Sequence, residues 1–153
     1  MDSSTFNITR LAVEQIIDYP FRNPLLLQEA LYAGGPIPLG HGPFTKPITE
    51  ANKRLALMGD SFFKAILNDR CDEMGMSRAL TNAELQRAAS NKHLDVVGRK
   101  LGLDKYLVLQ NGCPGVSKDL MATGVQAILG AVWRDSGKDL KAVEGVAERI
   151  GLL

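Results

Sequence analysis

The residues most able to do chemistry together lie in one stretch, Asn52-Lys-Arg-Leu-Ala-Leu-Met-Gly-Asp-Ser-Phe-Phe63. Its spacing predicts the start of a long amphipathic helix. Leu55, Met58, Phe62 and Ile66 recur at helical steps and form one apolar stripe. A second face carries Lys53, Ala56, Asp60 and Lys64. Asp60 stands one turn from Lys64 and two from Lys53, so an exposed helix ion pair is its simplest role. Gly59 is out of place in a helix interior, where it costs roughly 1 kcal/mol against Ala, and it marks close approach of another backbone.

The other reactive groups are isolated. His41 is alone in a loop, where simple solvation is expected. Cys71 and Cys113 fit no zinc spacing and are too few for a disulfide framework, so two reduced intracellular thiols are expected. Arg87, Lys92, His93, Arg99, Lys100 and Lys105 make the middle of the chain mildly basic, with Asp95 and Asp104 interleaved. That pattern suits an ordinary solvated surface. It also suits contact with a nucleic-acid backbone, for which a few well-placed Lys or Arg suffice.

The elements that must position these groups follow from periodicity. A chain of 153 residues buries one sizeable core. The formal net charge of +1 neither announces nor excludes a nucleic-acid partner. No apolar run is long enough to span a membrane, and the polar Met1–Thr5 start does not look like a secretory or transit signal. A short helix is expected over Asn7 to Tyr19, with Leu11, Val13, Ile16 and Ile17 as its apolar residues and Asn7 or Thr9 as cap. Pro20 and Pro24 stop it and start another, capped by Asn23. The stretch from Gly34 to Thr49, with four prolines and four glycines, is a loop. The central helix follows to about Met74, where Gly75 ends it. One or two helices are expected between Leu80 and Gly102. A turn covers Asn111 to Gly115, and then comes a helix capped by Ser117 with Asp119 at its positive end. Leu120, Val125, Ile128, Leu129, Val132 and Trp133 are its expected buried face, and a last helix covers about Leu140 to Ile150. No strand alternation and no internal repeat is present, so the fold class expected is all-α.

Four ordered blocks resemble the ribonuclease III family. Tyr19, Phe21, Asn23, Pro24, Leu26, Leu27, Glu29, Ala30 and Leu31 match its opening Tyr-x-Phe-x-Asn-Pro-x-Leu-Leu-x-Glu-Ala-Leu. Asn52, Arg54, Leu55, Leu57, Met58, Gly59, Asp60 and Ser61 follow its signature Asn-Glu-Arg-Leu-Glu-Phe-Leu-Gly-Asp-Ser. Ser90, Asn91 and Leu94, then Leu101 to Leu109, match the third block, and Ala127 to Asp135 the fourth. The resemblance covers about residues 15–150. It implies a single ribonuclease III-like endonuclease domain over 1–153 and a helical dimer; the double-stranded-RNA-binding domain that commonly follows in the family is not expected within these residues.

The resemblance also implies a catalytic site that this chain has altered. Family members hydrolyse double-stranded RNA with bound Mg²⁺ held by carboxylates. Two signature glutamates fall at Lys53 and Ala56, and the aspartate is kept as Asp60. The last helix's Asp and Glu fall at Thr123 and Gln126. One carboxylate remains and a lysine is gained, and an ammonium opposes a divalent cation. The expectation is therefore a catalytically degenerate homodimer without cofactor, acting as a binding or scaffold protein for structured RNA or a ribonucleoprotein inside the cell. Arg87, Lys92, Arg99 and Lys100 would contact RNA, and Leu57, Met58 and Phe62 would form the dimer interface. One alternative is an active nuclease that binds Mg²⁺ or Mn²⁺ through a rebuilt site of Asp60 and Asp119. Another is a protein-interaction partner of an active paralogue.

Overall fold

The computed structural model describes residues 3–36, 44 and 47–153. His41 and much of the 34–49 stretch lie outside the described residues. Seven α-helices account for the described secondary structure: α1 (Ser3–Ile17), α2 (Pro24–Leu31), α3 (Lys53–Glu73), α4 (Arg78–Ala88), α5 (Asn91–Lys100), α6 (Lys118–Asp135) and α7 (Leu140–Arg149). A single 3-10 turn covers Leu103–Tyr106. One isolated bridge pairs Tyr32 with Val108. The fold is all-α, and no helix among the described residues is long and apolar enough to cross a membrane.

Local chemistry sets most of the helix starts. Asn23, Ser77, Ser90, Ser117 and Asp139 each accept a backbone N–H of the first turn of the helix they precede. Pro24 occupies the first position of α2, where its missing N–H costs nothing. Asn52 departs from this rule. Its Nδ2 donates to the Ala30 carbonyl at 2.8 Å, tying the start of α3 to the end of α2, and no side chain caps α3. Gly75, at φ 70°, turns the chain out of α3.

The central helix is α6, with α3, α5, α2 and α7 packed around it. Met121, Ala122, Val125, Ala127, Ile128, Leu129, Ala131 and Val132 are all buried. A helix enclosed on most sides must be apolar nearly all round, and this one is. Leu120 and Trp133, expected in the buried face, are only half-buried.

The closest approach is between α3 and α6. A Cβ on Gly59 would lie 1.8 Å from the Gln126 carbonyl oxygen and 2.8 Å from the Gly130 nitrogen. A Cβ on Gly130 would lie 2.0 Å from the Leu55 carbonyl oxygen. The two backbones touch at a reciprocal pair of glycines. This crossing corrects the expected apolar stripe of α3. The buried residues are Leu55, Ala56, Gly59, Phe63, Ile66, Leu67 and Cys71, whereas Met58 and Phe62 are half-buried. The backbone contact turns the small residues inward, and small residues carry little hydrophobic signal in a sequence. Phe62 stacks on Trp133 instead, with centroids 3.8 Å apart.

Helix α1 also differs from expectation. It begins at Ser3, upstream of the proposed caps, and buries Phe6, Thr9, Val13 and Ile17. Leu11 and Ile8 face solvent. The apolar residues of this helix cover two faces, and only the packing decides which is buried.

Candidate functional site

The α3–α6 crossing also builds a cavity. Because the Gln126 backbone lies against Gly59, its side chain emerges beside the next residue, Asp60. A cavity of ≈ 250 Å³ opens there, lined by Lys53, Ala56, Leu57, Asp60, Thr123 and Gln126. These include all five positions singled out in the sequence, brought together from two helices about seventy residues apart in the chain.

The donors in the cavity are unequal. Asp60 is the one carboxylate. Its Oδ2 accepts from Lys64 Nζ at 2.9 Å and its Oδ1 from Gln126 Nε2 at 3.2 Å. Both oxygens are therefore already engaged. The Asp60–Lys64 pair is partly solvated, with side chains 25% and 48% exposed, and is worth less than about 1 kcal/mol to the fold. Lys53 is exposed and has no ion-pair partner among the described residues. Its neighbour Arg54 is committed, donating to both oxygens of the buried Glu29 carboxylate at 2.8 and 3.0 Å. Thr123 keeps its hydroxyl without a partner among the described residues.

A Mg²⁺-type ion does not fit this donor set. Such an ion needs a near-octahedral shell of oxygens, dominated by carboxylate and water. Here one engaged carboxylate, an amide and a hydroxyl stand beside a cationic ammonium. Among the described residues no group of three or more His, Cys, Asp and Glu is placed to hold a metal. Asp119 does not supply the missing ligand. It lies outside the cavity, seven residues and so about 10 Å along α6 from Gln126, and its Oδ1 accepts from Asn91 Nδ2 at 3.0 Å.

The basic segment is spread over α4 and α5. Arg87 pairs with Glu84 at 2.6 Å, a contact that holds the Glu84 carboxyl below its usual range and raises the guanidinium. Arg99 pairs with Asp95 at 2.7 Å and also donates to the Val116 carbonyl. Burial and the nearby Arg87 charge push His93 below the ordinary histidine value. Two of the four expected RNA contacts are thus partly neutralised on their own helices. Lys92 and Lys100 are exposed, with no ion pair among the described residues. Of the expected dimer residues, Leu57 is 72% exposed beside the cavity, whereas Met58 and Phe62 are half-buried.

Sequence reasoning missed a second polar centre, because it is structural. The Asp135 carboxylate, 8% exposed at the end of α6, accepts from the Tyr19 hydroxyl at 2.9 Å and from the backbone N–H groups of Arg22 and Asn23 at 2.9 and 2.8 Å. Burial, reinforced by this bond, pushes the Tyr19 hydroxyl well above the ordinary tyrosine range.

No protein-family model matches the sequence, and no curated protein matches it. Solved structures do. A nuclease domain of ribonuclease III from Campylobacter jejuni, described for structural flexibility in a region involved in dimer formation, superposes with a TM-score of 0.74 at 19% identity. The match covers 91% of this chain and 93% of that one. A second structure of the nuclease domain from the same organism gives 0.73 at 16% identity, covering 91% and 90%. With this helix order and this α3–α6 crossing, the chain has the fold of the ribonuclease III nuclease domain.

Proposed function

We propose that this protein is a homodimeric ribonuclease III-like domain that binds structured or double-stranded RNA, alone or within a ribonucleoprotein, and does not cleave it with Mg²⁺. One observation carries the reading. The cavity where the signature helix meets α6 holds a single carboxylate with both oxygens engaged, and an unpaired lysine. Incubation with long duplex RNA in Mg²⁺ or Mn²⁺ tests it. The expected result is binding that weakens steeply as salt rises, with no cutting. Cleavage that survives removal of trace nucleases and is lost in Asp60→Asn overturns the inactive reading.

Restoring the acids is the complementary test. The variant Lys53→Glu, Ala56→Glu, Thr123→Asp, Gln126→Glu clusters negative charge at the crossing, so the metal-free form should melt lower than the unmodified protein. Divalent metal should recover stability by binding only the folded state. A melting curve insensitive to Mg²⁺ and Mn²⁺ in that variant would mean that the cavity does not close around an ion.

The dimer is supported by the exposed Leu57 and by the dimer-forming region described for the Campylobacter domain. Leu57→Asp should shift sedimentation at micromolar concentration from dimer to monomer, because a charge desolvated in an interface without a partner is costly. Since Leu57 touches little of its own subunit's core, the melting point of the monomer should barely move. A monomeric unmodified protein would remove the homodimer from the proposal. A partner paralogue seated on the same exposed leucine would then be the better reading.

A further inference from the structure

The cavity at the α3–α6 crossing carries one uncommitted positive charge. Asp60 is the group a cation would seek, and each of its oxygens already accepts a bond, from Lys64 and from Gln126. What remains unengaged is the Lys53 ammonium, the Thr123 hydroxyl, and the Oε1 and second N–H of the Gln126 amide. Lys53 is not needed elsewhere: Glu29 is matched by Arg54 and Asp60 by Lys64. Lys53 also stands at the first position of a 21-residue helix that has no acid in its first turn and no side-chain cap. The positive end of that dipole is therefore uncompensated and adds to the same field. A cluster with one free ammonium and two free neutral donors receives an oxyanion.

We propose that this cavity is a phosphate-oxygen subsite for the RNA backbone, in which the Lys53 ammonium supplies the positive charge and no divalent cation is required. Thr123 and Gln126 donate to the non-bridging oxygens, while Asp60 orients Gln126 by accepting its other N–H. The subsite presupposes the RNA-binding reading above and adds its location and its independence from metal. The cavity opens at the surface, so a phosphodiester enters from the side with its sugars outside. A free inorganic phosphate carries the same oxygens, and the experiment separates the two sources.

The test is a titration of a labelled short RNA duplex, read by fluorescence anisotropy at low salt, in EDTA and in Mg²⁺, with a parallel calorimetric titration of inorganic phosphate. For the unmodified protein, affinity for the duplex should be the same in EDTA as in Mg²⁺. Lys53→Met should weaken duplex binding about tenfold, as expected for loss of one charge-assisted contact. It should also lower the slope of log affinity against log salt by about one for each subunit engaged. Lys53→Arg should restore most of the affinity, and Lys53→Glu should lose more than Lys53→Met. Thr123→Val should lose less, because its contact is neutral. Lys53 is exposed, so an unchanged melting point serves as the folding control.

The outcomes divide cleanly. Binding that disappears in EDTA overturns the metal-free subsite. Tight duplex binding that is identical in Lys53→Met overturns the subsite and leaves the RNA-binding reading standing, with its contacts elsewhere. Inorganic phosphate that needs Lys53, while duplex affinity does not, makes this a small-anion site and overturns the backbone contact. An unmodified protein that binds no duplex in low salt overturns both.

Discussion

Replacing Gly59 with alanine should cost about 3 kcal/mol or more and lower the melting point by roughly 10 °C. The added methyl has nowhere to go. Its ideal position is 1.8 Å from the Gln126 carbonyl oxygen, and that neighbour is backbone in the middle of the enclosed central helix. The helices must separate, and every side chain packed across the crossing loses contact. Gly130→Ala should behave alike, since its Cβ would meet the Leu55 carbonyl oxygen at 2.0 Å. The double variant should cost less than the sum of the two, because one separation relieves both clashes. Gly145 is the control: an added Cβ meets nothing within 4 Å, so Gly145→Ala on α7 should stabilise by up to about 1 kcal/mol through helix propensity. Chemical denaturation measures all four. If Gly59→Ala melts like the unmodified protein, the backbone contact is not as close as described. The cavity depends on the same contact, so Gly59→Ala should also weaken duplex RNA binding, which Gly145→Ala should not do.

Asp135→Ala should cost about 2 kcal/mol. Two backbone N–H groups and the Tyr19 hydroxyl lose their acceptor at once, and because these donors are only partly buried each costs less than the roughly 1–3 kcal/mol of a fully buried one. The informative comparison is Asp135→Asn. Oδ1 accepts from Asn23, and Oδ2 accepts from Tyr19 and Arg22, so whichever position the amide nitrogen takes faces a donor. Asparagine should therefore recover only part of the loss, even though its volume is unchanged. Tyr19→Phe removes one bond and leaves the two backbone bonds intact, so it should cost only about 1 kcal/mol. If Asp135→Asn is as stable as the unmodified protein, the carboxylate is not the clamp that joins α6 to the start of α2. All three variants leave the α3–α6 cavity untouched, so at a temperature where they stay folded their RNA affinity should be normal.

Much of this protein was legible without coordinates, for local reasons. Asn23 before Pro24, and Ser117 three residues before Leu120, announce their helices because caps act within one turn. The all-helical class follows from 3.6-residue periodicity, which needs no partner. The odd glycine at position 59 marks a close approach because a mid-helix glycine is unfavourable unless something requires it. That Lys53, Ala56, Thr123 and Gln126 carry no carboxylate is a matter of residue identity.

Tertiary structure alone decided the rest. Periodicity gives the existence of an apolar face but not its direction when two faces qualify, so Leu11, one of the apolar residues of α1, lies outside, and on α3 Phe63 is buried while Phe62 of the apolar stripe is half-buried. The partner of Gly59 is set by a crossing between segments far apart in the chain, and no local rule names Gly130. Asp135 reads as an ordinary helix-end carboxylate until the chain brings Tyr19 and two backbone N–H groups against it. The same is true of the cavity. The sequence by itself gives the residue types, with Asp60 as the one carboxylate beside Lys53, Ala56, Thr123 and Gln126. Only the packing showed that Asp60 is already satisfied by Lys64 and Gln126, leaving Lys53 uncommitted, because ion pairing depends on distances that residue order does not contain.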